Sequence, residues 1–278
     1  MDIEITKENK VLYGSELNLF IKDLHPSAPS IEANLTSLKG RNGQINYGAN
    51  HGKKTITLTA WLFSQDVEAH AYDRDLIYAV FSDLEPFYVS ELFEDGLYKF
   101  ERPGESSGFD LLNRNEYKRL YRCRYLVRAS AEPTIEFSGV HSGGVVSEVT
   151  AEFETVGLPY GESLPRSKEV VNNSIHYAGT TECNQLESPF TLKATALSDG
   201  TNANFTVNER TLTFTGAYKK GDVFEFKGVS NLQNGVNIND KTNYEFFILK
   251  PSESQLNTVF CDKADFKLEV LDYKDLYR

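Results

Sequence analysis

The chain has 278 residues, more than a usual single domain, so two domains are the starting expectation. Hydrophobic residues make up 40% and charged residues 25%, values of a globular protein, and the one Trp and one Met stand against 15 Tyr and 18 Phe, a bias toward sheet. Asp+Glu 40 against Lys+Arg 29 gives a net charge of −11, which excludes a protein that grips nucleic acid with its whole surface.

The acidic excess lies early: 25 acidic and 16 basic residues up to Pro165, 15 and 13 after it. Cys123, Cys183 and Cys261 are far apart and form no CxxC pair, so they read as small buried hydrophobes, not as a disulfide framework or a zinc knuckle. The N-terminus MDIEITKENK has no apolar core of a signal peptide, and no apolar run approaches the roughly 20 residues of a membrane span. A soluble protein made in a cytoplasm, with no cofactor and no metal, is expected.

In chain order, ELNLFIKDL (Glu16 to Leu24) alternates apolar and polar residues as a half-buried strand does, and HPSAPS breaks it. IEANLTSLKG reads as a second strand entering the glycine-rich stretch LKGRNGQINYG. KKTITLTAWLF (Lys53 to Phe63) is the strongest strand of the first half. Asp66 can cap a helix, VEAHAYDRDLIYAVFSDL, whose apolar stripe is Leu76, Ile77, Val80, Phe81 and Leu84 and whose end is Glu85-Pro86. FYVSELF and GLYKFER look like two strands joined at Glu94-Asp95-Gly96, with a short helical turn near Glu116.

In YRCRYLVRASAEPTIEF, a strand would place Tyr121, Cys123, Tyr125 and Val127 on one face and Arg122, Arg124 and Arg128 on the other. VVSEVTAEFETV is a further strand. GLPYGESLPRSKE concentrates Gly, Pro and charge and marks the boundary, with a linker over 161–169. Beyond it FTLKATAL, NFTVN, TLTFTGAY, GDVFEFKG, GVNIND, NYEFFILK and DFKLEVLDY recur between Asn, Gly, Asp and Ser, the cadence of a β-sandwich. The fold class expected is an α+β domain of antiparallel sheets with one main helix over 1–160, then an all-β sandwich over 170–278.

Chemical motifs are weak. The Lys39–Arg41 glycine stretch lacks the Walker pattern and is followed by strand, whereas a phosphate loop leans on a helix N-terminus. Its Gly40-Arg41-Asn42-Gly43 lacks the helix pair of a KH loop, so a turn is the better reading. GESSG around Ser106 matches a nucleophile elbow, but Arg102-Pro103 and polar flanks replace the buried strand that motif needs. His70, Asp73 and Asp75 do not converge on a helix and read as a solvated face, and Asp240, Asp262 and Asp265 lack a D-x-D-x-D-G calcium loop. The basic stripe Arg114, Lys118, Arg119, Arg122, Arg124 and Arg128 is either a solvated strand face or half of an electrostatic subunit contact.

Three pieces carry a family resemblance: KGRNGQINYG followed by KKTITLTAWLF; DRDLIYAVFSDLEPFYV; and YKRLYRCRYLVRASAEP leading to VTAEFETVGLPYGES. In this order they resemble the N-terminal domain of siphophage distal tail proteins, the hubs of tail tips and baseplates. HYAGTTECNQLESPFTLKA, LTFTGAYKKGDVFEF and GVNIND resemble the galectin-like sandwich appended to such hubs, although His176-Tyr177-Ala178 shifts the N-x-G-T-x-E pattern.

The resemblance implies a non-enzymatic virion protein of the tail tip, assembled in the host bacterial cytoplasm. It implies a homo-hexameric ring through the N-terminal belt domain, between the major tail tube protein and the tail-associated lysin or fibre protein. A receptor-binding protein is a further expected partner, DNA only passes through the bore, and no membrane is involved. Arg41, Arg119, Arg122, Arg124 and Arg128 are then the expected interface residues. The alternative is a carbohydrate-binding module for host cell walls, with Tyr218 and Tyr244 as aromatic contacts and Phe224 and Phe226 in the core.

Overall fold

The computed structural model describes residues 1–8, 10–94, 118–141, 143–263 and 265–278. The expected strand GLYKFER, the helical turn near Glu116, Ser106 and Arg114 lie outside them. The chain forms two compact units, Met1–Gly161 and Glu162–Arg278.

The first unit holds β1 (Asp2–Lys7), β2 (Lys10–Tyr13), β3 (Leu19–Pro26), β4 (Ile31–Thr36), β5 (Ile45–His51) and β6 (Thr55–Ser64). Helix α1 (Val67–Phe81) follows, then β7 (Phe87–Glu94), β8 (Lys118–Ala129), β9 (Thr134–His141) and β10 (Gly144–Thr155). One antiparallel path runs β2-β1-β7-β8-β10-β6-β3, and β9 lies against β10 beside β8. β6 shows why these residues choose sheet: β-branched residues alternate so that Ile56, Leu58, Ala60 and Leu62 are fully buried while Thr55, Thr57, Thr59, Trp61 and Phe63 face outward.

Helix α1 covers the inner face. The side chain of Asp66 accepts the Ala69 N–H at 2.8 Å as the N-cap, and Ile77, Val80 and Phe81 are buried. Phe153 of β10 takes Phe81 and Phe87 edge-on, each at 5.6 Å between ring centres. Near the ends of the strand path, β1 and β3 approach each other at Gly14, where an added side chain would run into Asp2, Ile3 and Ile21.

Two helix expectations need correction. Leu84 is 92% exposed and outside α1, because Lys7 Nζ takes the Val80 carbonyl at 2.6 Å and the Asp83 carboxylate at 2.8 Å, so the chain turns away there. His70 and Asp73 do not form a solvated face. Asp73 is buried, accepting from Ser64 Oγ at 2.7 Å and Asn18 Nδ2 at 3.2 Å, and His70 Nε2 lies 2.7 Å from Ser147 Oγ. Facing serines on β6 and β10 supply the partners that let these polar groups turn inward.

The second unit begins within the stretch expected as linker, where β11 (Gly161–Glu162) and β12 (Arg166–Glu169) are short strands. Then come β13 (Ser174–His176), β14 (Cys183–Asn184), β15 (Thr191–Ala196), β16 (Gly200–Val207), β17 (Arg210–Tyr218) and β18 (Val223–Phe226). The last are β19 (Asn231–Gln233), β20 (Val236–Asn237), β21 (Ile248–Leu249), β22 (Leu256–Cys261), β23 (Phe266–Tyr273) and β24 (Leu276–Tyr277).

Two sheets, β12-β23-β15-β18-β19-β20 and β13-β22-β16-β17, make the sandwich. Phe205, Phe214 and Tyr218 from one meet Phe224, Phe226 and Phe266 from the other, with Phe205 and Phe226 4.7 Å apart. The segment after β11 is held to the far end of its unit by Asp275, whose carboxylate lies 2.8 Å from Arg166 Nη1 and whose backbone exchanges hydrogen bonds with Ser163.

Candidate functional site

The glycine-rich stretch is the tip and return of a hairpin. β4 and β5 pair only with each other, Ile31 opposite His51 and Thr36 opposite Ile45, in a sheet separate from the main path. Gly40 and Gly43 supply the positive φ of its tip, at 84° and 81°. Both strands are exposed along nearly their whole length, with Ile31 at 74% and Tyr47 at 67%. Lys39 and Arg41 at the tip have no ion-pair partner among the described residues. A two-stranded ribbon with two wet faces is marginal by itself.

The outward face of β3, β6, β10 and β9 is the second open surface. Its central row crosses four strands as Phe20, Trp61, Glu148 and Glu136, and Phe63 stands in the next row beside Val146. Phe20 is 62% exposed and Phe63 about half exposed. Lys22 lies over the Trp61 ring at 4.6 Å and pairs with Glu148 at 2.6 Å. Glu136 and Glu152 of the same face have no ion-pair partner among the described residues.

The basic stripe of β8 is partly neutralised at home. Cys123, Tyr125 and Val127 are buried, as alternation requires, and Arg124 and Arg128 face the other way. Arg124 stacks on Tyr88 at 3.9 Å, and Arg128 donates twice to Glu154 Oε1, at 3.0 and 2.7 Å. Lys53 holds the other carboxylate oxygen of Glu154 at 2.5 Å. Arg119 and Arg122 lie on β8 by their backbone. Of the five expected interface arginines, then, Arg41 is the one whose side chain stands exposed and unpaired among the described residues, while Arg128 is committed within its own subunit.

Hydrogen bonds from Lys53 and then Arg128 hold the Glu154 carboxyl below the ordinary glutamate value of 4.5. A depressed carboxyl stabilises the fold above its unfolded pKa, and that gain is lost as pH falls through the folded value. Glu154→Gln is expected to cost about 1 kcal/mol at pH 7, since its partners are more than half exposed and screened. Urea unfolding of both proteins as the pH is lowered will show the gap closing once the wild-type carboxyl is protonated.

Among the described residues, groups suited to chemistry are scarce. Burial pushes the Cys183 thiol up to about 11 and Cys261 up to about 12, so neither is a thiolate nucleophile at neutral pH. Among the described residues no three His, Cys, Asp or Glu side chains are placed to hold a metal. A cleft of about 540 Å³ between Ser82–Leu84 and Arg128–Glu132 is floored by Glu154, whose carboxylate is already committed.

The expected glycan contacts are not brought together. Tyr218 is 4% exposed, with its ring 5.0 Å from Phe266 and 6.2 Å from Phe224, so it is a core residue and offers no platform. Tyr244 stands on the surface near Arg210, which pairs with Glu245 and lies 4.1 Å over Phe246. Phe224 and Phe226 are fully buried.

Residues 13–120 match the family model of the phage tail protein RIFT-related domain. Over that stretch the first unit is similar to this phage tail domain. The match begins at the end of β2 and takes in the hairpin, β3, β6 and helix α1, while β9 and β10 of the open face lie beyond it. Over the full chain, the fold is that of the crystal structure of SPP1 Dit (gp 19.1), described as a paradigm of the hub adsorption apparatus in Gram-positive-infecting phages. The two share 12% identity with a TM-score of 0.63, over 99% of each chain. The phage p2 baseplate in its activated conformation, with Sr and with Ca, aligns at 12% identity over 96% of this chain and 97% of that one, but with a TM-score of 0.38. No curated protein matches the chain in sequence.

Proposed function

We propose that the protein is a structural hub of a siphophage tail tip or baseplate, a virion component without catalytic activity. The observation that carries this reading is the shared fold with SPP1 Dit over 99% of both chains, joined to the phage tail domain at 13–120. In this reading the first unit closes into a homo-hexameric ring between the tail tube protein and the tail-associated lysin or fibre protein. The second unit serves as the attachment for receptor-binding parts, and DNA passes through the bore. Assembly takes place in the host bacterial cytoplasm.

Two features of the tail domain support a ring. The hairpin and the β3-β6-β10-β9 face are different surfaces, each carrying exposed apolar residues, which suits a head-to-tail contact that closes by rotation. β9 is also an open edge carrying exposed Phe137 and Val140, an arrangement that solitary subunits usually avoid. Native mass spectrometry of the purified protein is expected to give a hexamer or a pair of stacked hexamers. A protein that stays monomeric at high concentration, alone and with the co-expressed tail tube protein, would overturn the ring.

A further inference from the structure

We propose that Asn42 is a site of spontaneous deamidation, at which the backbone nitrogen of Gly43 closes on the Asn42 side chain and converts it to aspartate or isoaspartate. The site belongs to the first unit alone and is independent of the hub reading above. The chain has two Asn-Gly pairs, Asn42-Gly43 and Asn234-Gly235, and the fold treats them in opposite ways.

Asn42-Gly43 lies in the open loop 37–44, beyond the last pair of the hairpin, Thr36 with Ile45. Asn42 is exposed, and among the described residues neither its side-chain amide nor the Gly43 N–H makes a hydrogen bond. A Cβ built on Gly43 would meet nothing within 4 Å, so the space that the closing ring needs is free. Glycine at this position also leaves the attacking nitrogen without a side chain to shield it.

Asn234-Gly235 is locked. It forms the turn between β19 and β20, closed by Gln233 opposite Val236, with φ of 52° and 80°. Its Oδ1 accepts the Val223 N–H at 2.9 Å, and its Nδ2 donates to Asp222 Oδ1 at 2.8 Å. Its own N–H donates to the Val223 carbonyl at 2.8 Å. The side chain cannot turn onto the Gly235 nitrogen without breaking both of its bonds.

The reaction needs only water. Gly43 N bonds to Asn42 Cγ, the amide nitrogen leaves as ammonia with the proton that Gly43 gives up, and a cyclic succinimide remains. Water then adds to one of the two ring carbonyls and that C–N bond opens. Opening at the side-chain carbonyl gives aspartate, and opening at the backbone carbonyl gives isoaspartate; nothing is oxidised or reduced. Either product sets a carboxylate beside Arg41, which offsets part of the positive charge that Lys39 and Arg41 bring to the tip.

Peptide mapping of the full chain tests this. The protein is held in mildly alkaline buffer made with heavy-oxygen water, then digested with chymotrypsin in ordinary water, so that only carboxylates formed before digestion carry the label. Label is expected at Asn42, with Asn234 converting about thirty-fold more slowly or less, because its turn must first open against two side-chain bonds. In urea the turn is lost, and the two rates should come within about two-fold of each other. Asn42→Gln keeps an exposed amide, so its circular dichroism should match the wild type, and the acidic species that accumulates on anion exchange should disappear.

Equal rates at the two sites in the folded chain would overturn the inference, and so would a difference that persists in urea. An Asn42 that stays intact while the urea sample converts, or an acidic species undiminished in Asn42→Gln, would do the same.

Discussion

Phe205→Ala is expected to destabilise the second unit by about 3–5 kcal/mol, the cost of deleting a fully buried ring and leaving a cavity. Phe205 lies at the centre of the sandwich, 4.7 Å from Phe226, 5.1 Å from Phe266 and 6.0 Å from Phe224. It comes from β16, while its three neighbours come from the opposite sheet, so the mutation loosens the contact between sheets and not one hairpin. Urea denaturation followed by tyrosine fluorescence of the full chain measures it. Phe205→Leu, which keeps most of the volume, should cost about half as much. A loss under about 1 kcal/mol for the alanine would show that the rings do not form the principal core.

Gly144→Ala should be comparably damaging in the first unit, at about 3–5 kcal/mol, for a different reason. Gly144 opens β10 at a φ of 129°, outside the range of L side chains, and an added Cβ would overlap the carbonyl oxygen of Ser64. Ser64 cannot move freely, because its hydroxyl holds buried Asp73 of α1. The strain should therefore reach the helix. Hydrogen exchange in the α1 amides is expected to rise in this variant, whereas a stable protein with unchanged exchange would refute the argument.

The strongest local patterns were readable without coordinates. β6 alternates so strictly that one face had to be buried, and α1 carried both its Asp66 cap and an apolar stripe. The stripe misled at Leu84, because periodicity does not show that Lys7, far away in sequence, takes the carbonyl of Val80 and ends the helix.

β22 was missed for a related reason. Its inward position Asn257 is polar yet almost fully buried, which breaks the apolar alternation that marks a strand. The amide is tolerated because it behaves like a piece of backbone, accepting from Lys250 N–H and Asn208 Nδ2 at 2.7 Å each and donating to the Lys250 carbonyl at 3.0 Å. β5 was hidden likewise: Asn46, Gly48 and Asn50 are poor strand formers, and only pairing with β4 makes them a strand.

The candidate surface divides in the same way. The basic stripe of β8 stood out as charge, but charge in a sequence carries no partner. Folding brought Glu154 to Arg128 and Tyr88 to Arg124, which leaves less of the stripe available than a count of arginines suggests. The outward-facing Phe20, Trp61 and Phe63 could not be told from core aromatics until the strands were ordered and α1 was found on the opposite face.

From sequence alone came the class of each unit, the alternation of its main strands, and the order of motifs that resembles phage hubs, because these rest on local periodicity and composition. The tertiary structure decided which aromatics are core and which stand open, which charges are already paired, and that the glycine-rich stretch projects as a hairpin. Those properties depend on residues distant in the chain, and only long-range strand pairing sets them.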